Sequence, residues 1–569
     1  MFTTLRFLGC TAVLFGQTYG AEWEWLSPVY EKFFEDPMPI PPLKTPKITY
    51  TNPNTSIPID YYEVEISAFD VAVYPDLEKA RFVGYDGMFP GPTFRIPRGR
   101  QSVVRFTNKD NVLGSSIHVH GSYTLAPFDG WADDMIMPGQ YKDYYYPNTQ
   151  SARPLWYHDH VYSLTADNAF YGQAGYWIIE DENEAAMGFP SGDYDLPLMV
   201  ASHQFNEDGT VFSPLNVTDE LFGDIISVNG VPWPYFKVEP RKYRLRWLNA
   251  SLSRVFELFF EADGEDGQRI PFQLIASDGG LMNRPVMSPE VVMSMGERWE
   301  MIFDFEPFAG RNVTAKNPRE VGTVEDYVGT DRVMRFVVGD TVTSDTNNRG
   351  APDQMNQWSF EPPTTSSSDR LFFFARNNDV WQINGRTFGD VENRVLANIP
   401  RGSVEIWDLE NGSGAHTHPV HLHLVDFIVL SRKGRRGLLP YEQEAAKDVV
   451  WLGPNEGVRV AARFAPWDGI FMFHCHDLIH EDHDMMVAFN ITQIEGFNYT
   501  KSTKYIDPMD PRWLPAPVED SIYETDNVMA KLEMFASLGV YDDIPGLQDA
   551  LDQYYENRTE SAIALKFRV

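Results

Sequence analysis

Four histidine pairs, each split by a single residue, punctuate this chain: His118 and His120, His158 and His160, His421 and His423, His474 and His476. Residues i and i+2 of a strand face the same side, so each pair can aim two imidazoles at one point. Eight imidazoles are too many for one ion but suit a cluster of two or three, and imidazole favours copper, zinc, iron or nickel. Twelve of the 13 histidines fall in four short clusters, which histidines scattered through core and surface would not produce. Only His203 stands alone, and it reads as a structural residue.

Cys475 lies between His474 and His476. The same parity turns its sulfur to the opposite face, into a second site joined to the first through the backbone. The other cysteine, Cys10, falls in an apparent signal peptide, so the mature chain has no partner for an internal disulfide. His480, five residues on, and Met485, ten on, can reach the sulfur. His418 stands three residues before His421, so strand parity sends it away from that pair, although Pro419 interrupts the strand. A thiolate, two imidazoles and a weak thioether have the composition of a blue-copper site. Zinc has no use for methionine, and a zinc ribbon would need more cysteine.

The elements that carry these residues repeat. Ile96-Pro97-Arg98-Gly99 leads into an alternating run ending at Asn108, and Ile399-Pro400-Arg401-Gly402 leads into one ending at Asn411. A histidine pair follows each isoleucine by 22 residues, and the copies are offset by 303 residues. The second pairs are offset by 316, which places the extra residues in a basic surface loop around Ser431 to Gly437. A weaker third copy runs from Val238 to Asn249, with no histidine pair after it. Turn-then-strand signals of this kind predict an all-β fold of three consecutive Greek-key β-sandwiches, with chemistry in the first and third. Strands are expected over Tyr61 to Val73, Val255 to Glu261 and Val458 to Phe464. The expected domains are 45–185, 190–345 and 365–495, with a Ser/Thr/Pro-rich linker over Pro362 to Asp369.

The ends differ from this body. Residues 1–21 read as a signal peptide: a charged start, an apolar stretch too short to span a bilayer, then small residues. Eight glycosylation sequons, at Asn54, Asn216, Asn249, Asn312, Asn411, Asn490, Asn498 and Asn557, agree with secretion, with glycosylation of Asn411 doubtful because Asn108, its repeat partner, ends a core strand. The tail 497–569 has helical apolar spacing with acidic faces over Glu519 to Leu538 and Gly546 to Tyr555. It either packs on the body or is processed off. A net charge of −34 repels nucleic acid and anionic membranes and is silent about substrate.

Taken in order, His-Val-His-Gly (118–121), Tyr-His-Asp-His (157–160), His-Pro-Val-His-Leu-His (418–423) and the run from His474 to Met486 resemble the four copper motifs of the multicopper oxidases. The resemblance covers roughly residues 60 to 495. Phe128 to Asp133 and the Glu481-Asp482-His483-Asp484-Met485-Met486 ending are most similar to the bilirubin oxidase and spore-coat laccase branch. The resemblance implies three cupredoxin-like domains and four copper ions. It places type 1 copper on His418, Cys475, His480 and axial Met485, and type 2 copper on His118 and His421. The type 3 pair falls to His120, His158 and His476 on one ion and His160, His423 and His474 on the other.

It further implies one-electron oxidation of phenols, aminophenols, aromatic amines or tetrapyrroles near His480 or His418, electron passage through Cys475, and four-electron reduction of O2 to water. Asp129 and Glu481 fall where the family keeps its acidic proton donors. The chain departs from the bilirubin oxidases at His416-Thr417-His418, where they carry Trp-Thr-His. His416 is a polar group at the substrate edge or a solvent-facing residue, the second preferred. Asp477 tunes the copper site or supports it structurally. His483 and Met486 read as packing. A phenol-coupling enzyme of pigment or secondary metabolism and an Fe(II) or Mn(II) oxidase are the alternatives; a non-enzymatic copper carrier is disfavoured by the complete set of eight histidines. A secreted monomer with no nucleic-acid or membrane partner is expected.

Overall fold

The computed structural model describes residues 27–566 apart from 266, 319, 322, 323, 326, 357–359, 361–366 and 498. The expected signal peptide with Cys10 and most of the expected linker lie outside the described residues.

Among the described residues, six sheets of four or more strands pair into three sandwiches. The three repeated segments become the strands Gln101–Asn108, Lys242–Asn249 and Val404–Asn411. Each lies parallel to an earlier strand: Pro58–Val71, Asp195–His203 and Arg370–Asn377 respectively. Each is antiparallel to a later one: Gln140–Tyr146, Arg298–Asp304 and Gly457–Arg463. The asparagine closing each strand does the same work three times. Asn108 Nδ2 donates to Asn111 O and Ile136 O, Asn249 Nδ2 to Arg254 O and Met293 O, and Asn411 Nδ2 to His416 O and Gly453 O. All three side chains are buried, so the sequons at Asn249 and Asn411 serve the fold and not a glycan.

The thirteen extra residues of the third domain do more than lengthen a loop. Ser431 to Lys433 belong to the strand Phe427–Lys433, which pairs with Gly457–Arg463, while Val449–Leu452 pairs with His418–Leu422. The equivalent edge of the first domain, beside Gln140–Tyr146, is filled by Ala516–Pro517 from the tail.

That tail packs on the body. Its helix Thr525–Leu538 buries Val528, Leu532, Phe535 and Ala536, and ends at Gly539, whose φ of 60° gives the left-handed residue that stops a helix. A second helix, Ile544–Lys566, follows, with Leu547 and Leu551 buried. Both join one continuous core shared with the first and third domains. The second domain has its own core, which also takes in Leu478 and Ile479 of the third.

Candidate metal centre

The strands Ile117–His120 and Arg153–Asp159 pair so that His118 stands opposite His158. In the third domain His418–Leu422 pairs with Gly469–Cys475, placing His421 opposite His474. The second member of three pairs, His160, His423 and His476, lies just past a strand end. All eight imidazoles are buried and converge between the two domains.

Their nitrogens fall into groups. His118 Nε2 and His421 Nε2 are 3.4 Å apart. His160 Nε2 and His423 Nε2 lie 3.1 and 3.2 Å from His474 Nε2. His120 Nδ1 is 3.4 Å from His158 Nε2, and the His476 ring is 5.0 and 5.4 Å from theirs. The opposite nitrogens are tied down: His118 Nδ1 on Asp129 O at 2.6 Å, His158 Nδ1 on Asp159 O at 2.7 Å, His421 Nδ1 on Asp448 O at 2.8 Å. His423 Nδ1 meets Asp129 Oδ2 at 2.8 Å, and His120 Nε2 meets Asp448 Oδ1 at 3.0 Å. Such outer bonds fix the tautomer and aim the free nitrogen inward.

The sulfur site is the other face of the same strand. Phe473 and Cys475 face the third-domain core, away from His474. Cys475 Sγ lies 3.4 Å from His418 Nδ1 and 3.7 Å from His480 Nδ1. Met485 is fully buried, and its backbone O accepts from Cys475 N at 3.0 Å. The parity expected of His418 survives Pro419. His480 sits on the short helix Leu478–Asp482, whose N-terminus Asp477 caps by accepting from Ile479 N and His480 N. Asp477 also accepts from Ser253 of the second domain, and its backbone N donates to Cys475 Sγ at 3.4 Å.

Electrostatics prepare the donors for cations. Burial and mutual repulsion hold His118, His120, His158, His421, His423 and His476 well below the ordinary imidazole value, and burial takes His160 to about 4 and His418 to about 3. They are neutral donors at physiological pH. Burial pushes the Cys475 thiol well up, so its thiolate needs a soft cation beside it. Neither ring nitrogen of buried His476 has a hydrogen-bond partner, an orphan that a metal would satisfy. The donor set therefore fits copper in both places.

The two acids differ. Burial raises the Asp129 carboxyl well above its usual range. Glu481 lies 3.0 Å from His474 Nδ1 and 3.7 Å from His160 Nε2. Those imidazoles outweigh its burial and hold it down at about 2.

Two sequence profiles, each described as multicopper oxidase, match residues 69–184 and 360–495. The bilirubin oxidase of Albifimbria verrucaria is 48% identical over 504 residues, covering 87% of each chain. The chain belongs to the multicopper oxidases. A laccase of Bacillus subtilis is 31% identical, covering 81% of this chain and 98% of its own. Among solved structures, a multicopper oxidase of the hyperthermophile Aquifex aeolicus superposes with a TM-score of 0.70 at 26% identity, covering 80% of this chain and 99% of its own. This multicopper oxidase is a copper oxidoreductase of the laccase and bilirubin oxidase kind; it uses four coppers, a small-molecule donor and O2.

Several residues at the centre escaped sequence reasoning. Trp381 lies on His480, Trp156 stacks on His158 with centroids 4.1 Å apart, and Asp448 and Arg298 join the cluster from outside the motifs. His483 Nδ1 bonds its own helix at Ile479 O, and Met486 packs near Phe388. His203 is ringed by Phe82, Phe89 and Phe170. His416 is half-buried against Glu220 at 3.3 Å, so it is less solvent-facing than its sequence suggested.

Proposed function

We propose that the chain oxidises small aromatic donors of the phenol, aminophenol or tetrapyrrole class, with copper ligands as the motifs imply. His418, Cys475, His480 and Met485 hold type 1 copper; His118 and His421 hold type 2. His120, His158 and His476 hold one type 3 ion, and His160, His423 and His474 the other. The single observation that carries this is Cys475: one strand residue serves the sulfur site while His474 and His476 on either side serve the cluster. The bound coppers would supply one-electron acceptance from four donors and four-electron delivery to O2, with four protons, giving two waters.

The chain's own residues supply the rest. Burial raises the Asp129 carboxyl, and its Oδ1 has no hydrogen-bond partner, which suits it to deliver a proton. Glu481, held low by His474 and His160, takes up a proton at Oε2. Two acids pushed apart by their surroundings divide donor and acceptor roles between them.

At the rim, Asp219 is paired with Arg376 and Glu220 with His416. Asp219 is neutralised by a guanidinium and Glu220 is engaged by an imidazole whose protonation it favours, which supports a neutral aromatic donor over Fe(II) or Mn(II). The working domains are 45–185, 190–345 and 365–495, and export as a glycoprotein is supported by exposed sequons at Asn54, Asn216 and Asn557. Oxygen uptake by copper-loaded protein on bilirubin, phenols, aromatic amines and Fe(II) tests the donor class; rapid Fe(II) turnover with negligible phenol oxidation overturns it. Cys475→Ser tests the ligand reading: it should abolish the blue band and all turnover while three coppers remain.

A further inference from the structure

The second domain donates no copper ligand, yet one of its side chains reaches the cluster. Arg298, at the start of the strand Arg298–Asp304, is fully buried. Nη1 and Nη2 clasp Asp448 Oδ1 and Oδ2 at 2.7 and 2.6 Å. Nε donates to Pro154 O of the first domain at 2.8 Å. The remaining two donors go to Gly296 O at 3.0 Å and Asp278 O at 3.3 Å. All five N–H groups of the guanidinium are thus used, and they tie the three domains together at one point.

Asp448 is the other half of this joint. Its Oδ1 receives His120 Nε2 at 3.0 Å and its backbone O receives His421 Nδ1 at 2.8 Å. One residue therefore orients a histidine of the first domain with its side chain and one of the third with its backbone. Lys447 beside it bonds Asp278 at 2.9 Å and Glu297 at 2.8 Å, so three buried acids share two buried bases. Burying charge is costly unless every partner is present, and removing one leaves an uncompensated ion.

The backbone around the joint is equally close. A Cβ on Gly121, at φ +87°, would fall 2.5 Å from Asp448 Oδ2 and 2.9 Å from Arg298 Nη2. A Cβ on Gly296, at φ +80°, would fall 3.0 Å from His476 Cδ2. The second domain thereby touches the cluster from two sides, behind Asp448 and against His476.

We infer that Arg298 is a positioning residue for the trinuclear site: through Asp448 it sets the rings of His120 and His421, so the ligand-free second domain governs retention of the type 2 copper. This rests on the ligand reading above. Without the guanidinium, Asp448 loses its two-point clasp and with it the fixed acceptor for His120 Nε2. Outer partners of metal-bound histidines typically contribute about 10–100-fold to metal affinity.

The test uses full-length Arg298→Gln and Arg298→Lys proteins, with His118→Ala as reference. Copper stoichiometry, the type 2 EPR signal and copper release to a chelator are measured, and the blue absorbance serves as the internal control of folding. The expected result is an intact blue band with type 2 copper depleted or released about 10–100-fold more readily in Arg298→Gln, and a smaller loss in Arg298→Lys. Four retained coppers with an unchanged type 2 signal in both variants overturn the inference. So does joint loss of blue and type 2 copper in both, which would make Arg298 a residue of general stability. If His118→Ala keeps its type 2 signal, the ligand reading itself fails, and that outcome is distinguishable from the other two.

Discussion

Trp381 lies across His480, with ring centroids 3.8 Å apart and 34° between the planes, and its Nε1 is anchored on Thr218 O at 3.0 Å. His418, His480 and Trp381 are all fully buried. A donor that stays outside the protein therefore meets neither histidine; the partly exposed group at this edge is His416, whose ring stands 5.1 Å from that of Trp381. The indole is one contact between the rim and the sulfur site, beside the His416 ring, which also faces His480 with centroids 5.9 Å apart. Trp381→Leu should keep the blue absorbance but slow its anaerobic bleaching by aromatic donors about tenfold, ~1.4 kcal/mol on the barrier. Stopped-flow reduction checks this. An unchanged rate at full blue intensity would mean that electrons enter elsewhere.

Asp129 and Glu481 make a second test, because the same carboxyl group is placed in opposite surroundings. Asp129 accepts from His423 Nδ1 at 2.8 Å, and burial raises its carboxyl. Glu481 is shifted the other way, down to about 2, by His474 and His160. Removing a positioned proton donor typically costs about 10²–10⁴ in rate. Asp129→Asn should reach that range in steady-state oxygen uptake while the blue band still bleaches at its normal rate under anaerobic conditions. Equal slowing of both half-reactions would assign Asp129 a purely structural part.

The histidine motifs were legible because strand periodicity and chemistry agree: pairs at i and i+2 must share a face, and Cys475 must then take the other. The repeat was legible through the closing asparagines, since each bonds the loop that follows its strand. Asp448 and Arg298 were not, because neither sits in a motif and their meaning arises only when strands 150 residues apart meet. The 13-residue difference between the two offsets read as a loop because charge and glycine hide a strand whose value lies in an open sheet edge. Trp381 was hidden for the same reason, as its partner His480 lies far along the chain on the short helix Leu478–Asp482.

The tail also escaped a decision from sequence, and the structure gives it a load. Phe535 packs on Tyr145 with centroids 4.9 Å apart, stacks with Trp513 at 5.5 Å and abuts Phe128 at 5.9 Å. Phe128 ends the short helical turn Ala126–Phe128 that presents Asp129. Tyr541 OH receives Leu125 N at 3.3 Å and donates to Tyr145 O at 3.1 Å. Phe535→Ala should cost about 3–5 kcal/mol, seen as a lower Tm and faster proteolysis between residues 500 and 545. Full stability after deletion of the tail would show that these contacts carry no weight.

His203 offers a pH test away from any copper ligand. It is buried among Phe82, Phe89 and Phe170, and burial lowers its imidazole to about 4. In the unfolded chain the value is about 6.5. Above pH 6.5 both states are neutral and the residue contributes no pH dependence. Between 6.5 and 4 the unfolded chain binds a proton that the native state refuses, so stability falls with falling pH by up to ~3 kcal/mol, and below 4 the loss is complete. His203→Phe matches the surrounding rings and removes the titration. Its Tm should fall less steeply than that of the parent between pH 6.5 and 4, with parallel curves above and below. Curves parallel throughout would place the acid sensitivity of the fold on its carboxylates alone.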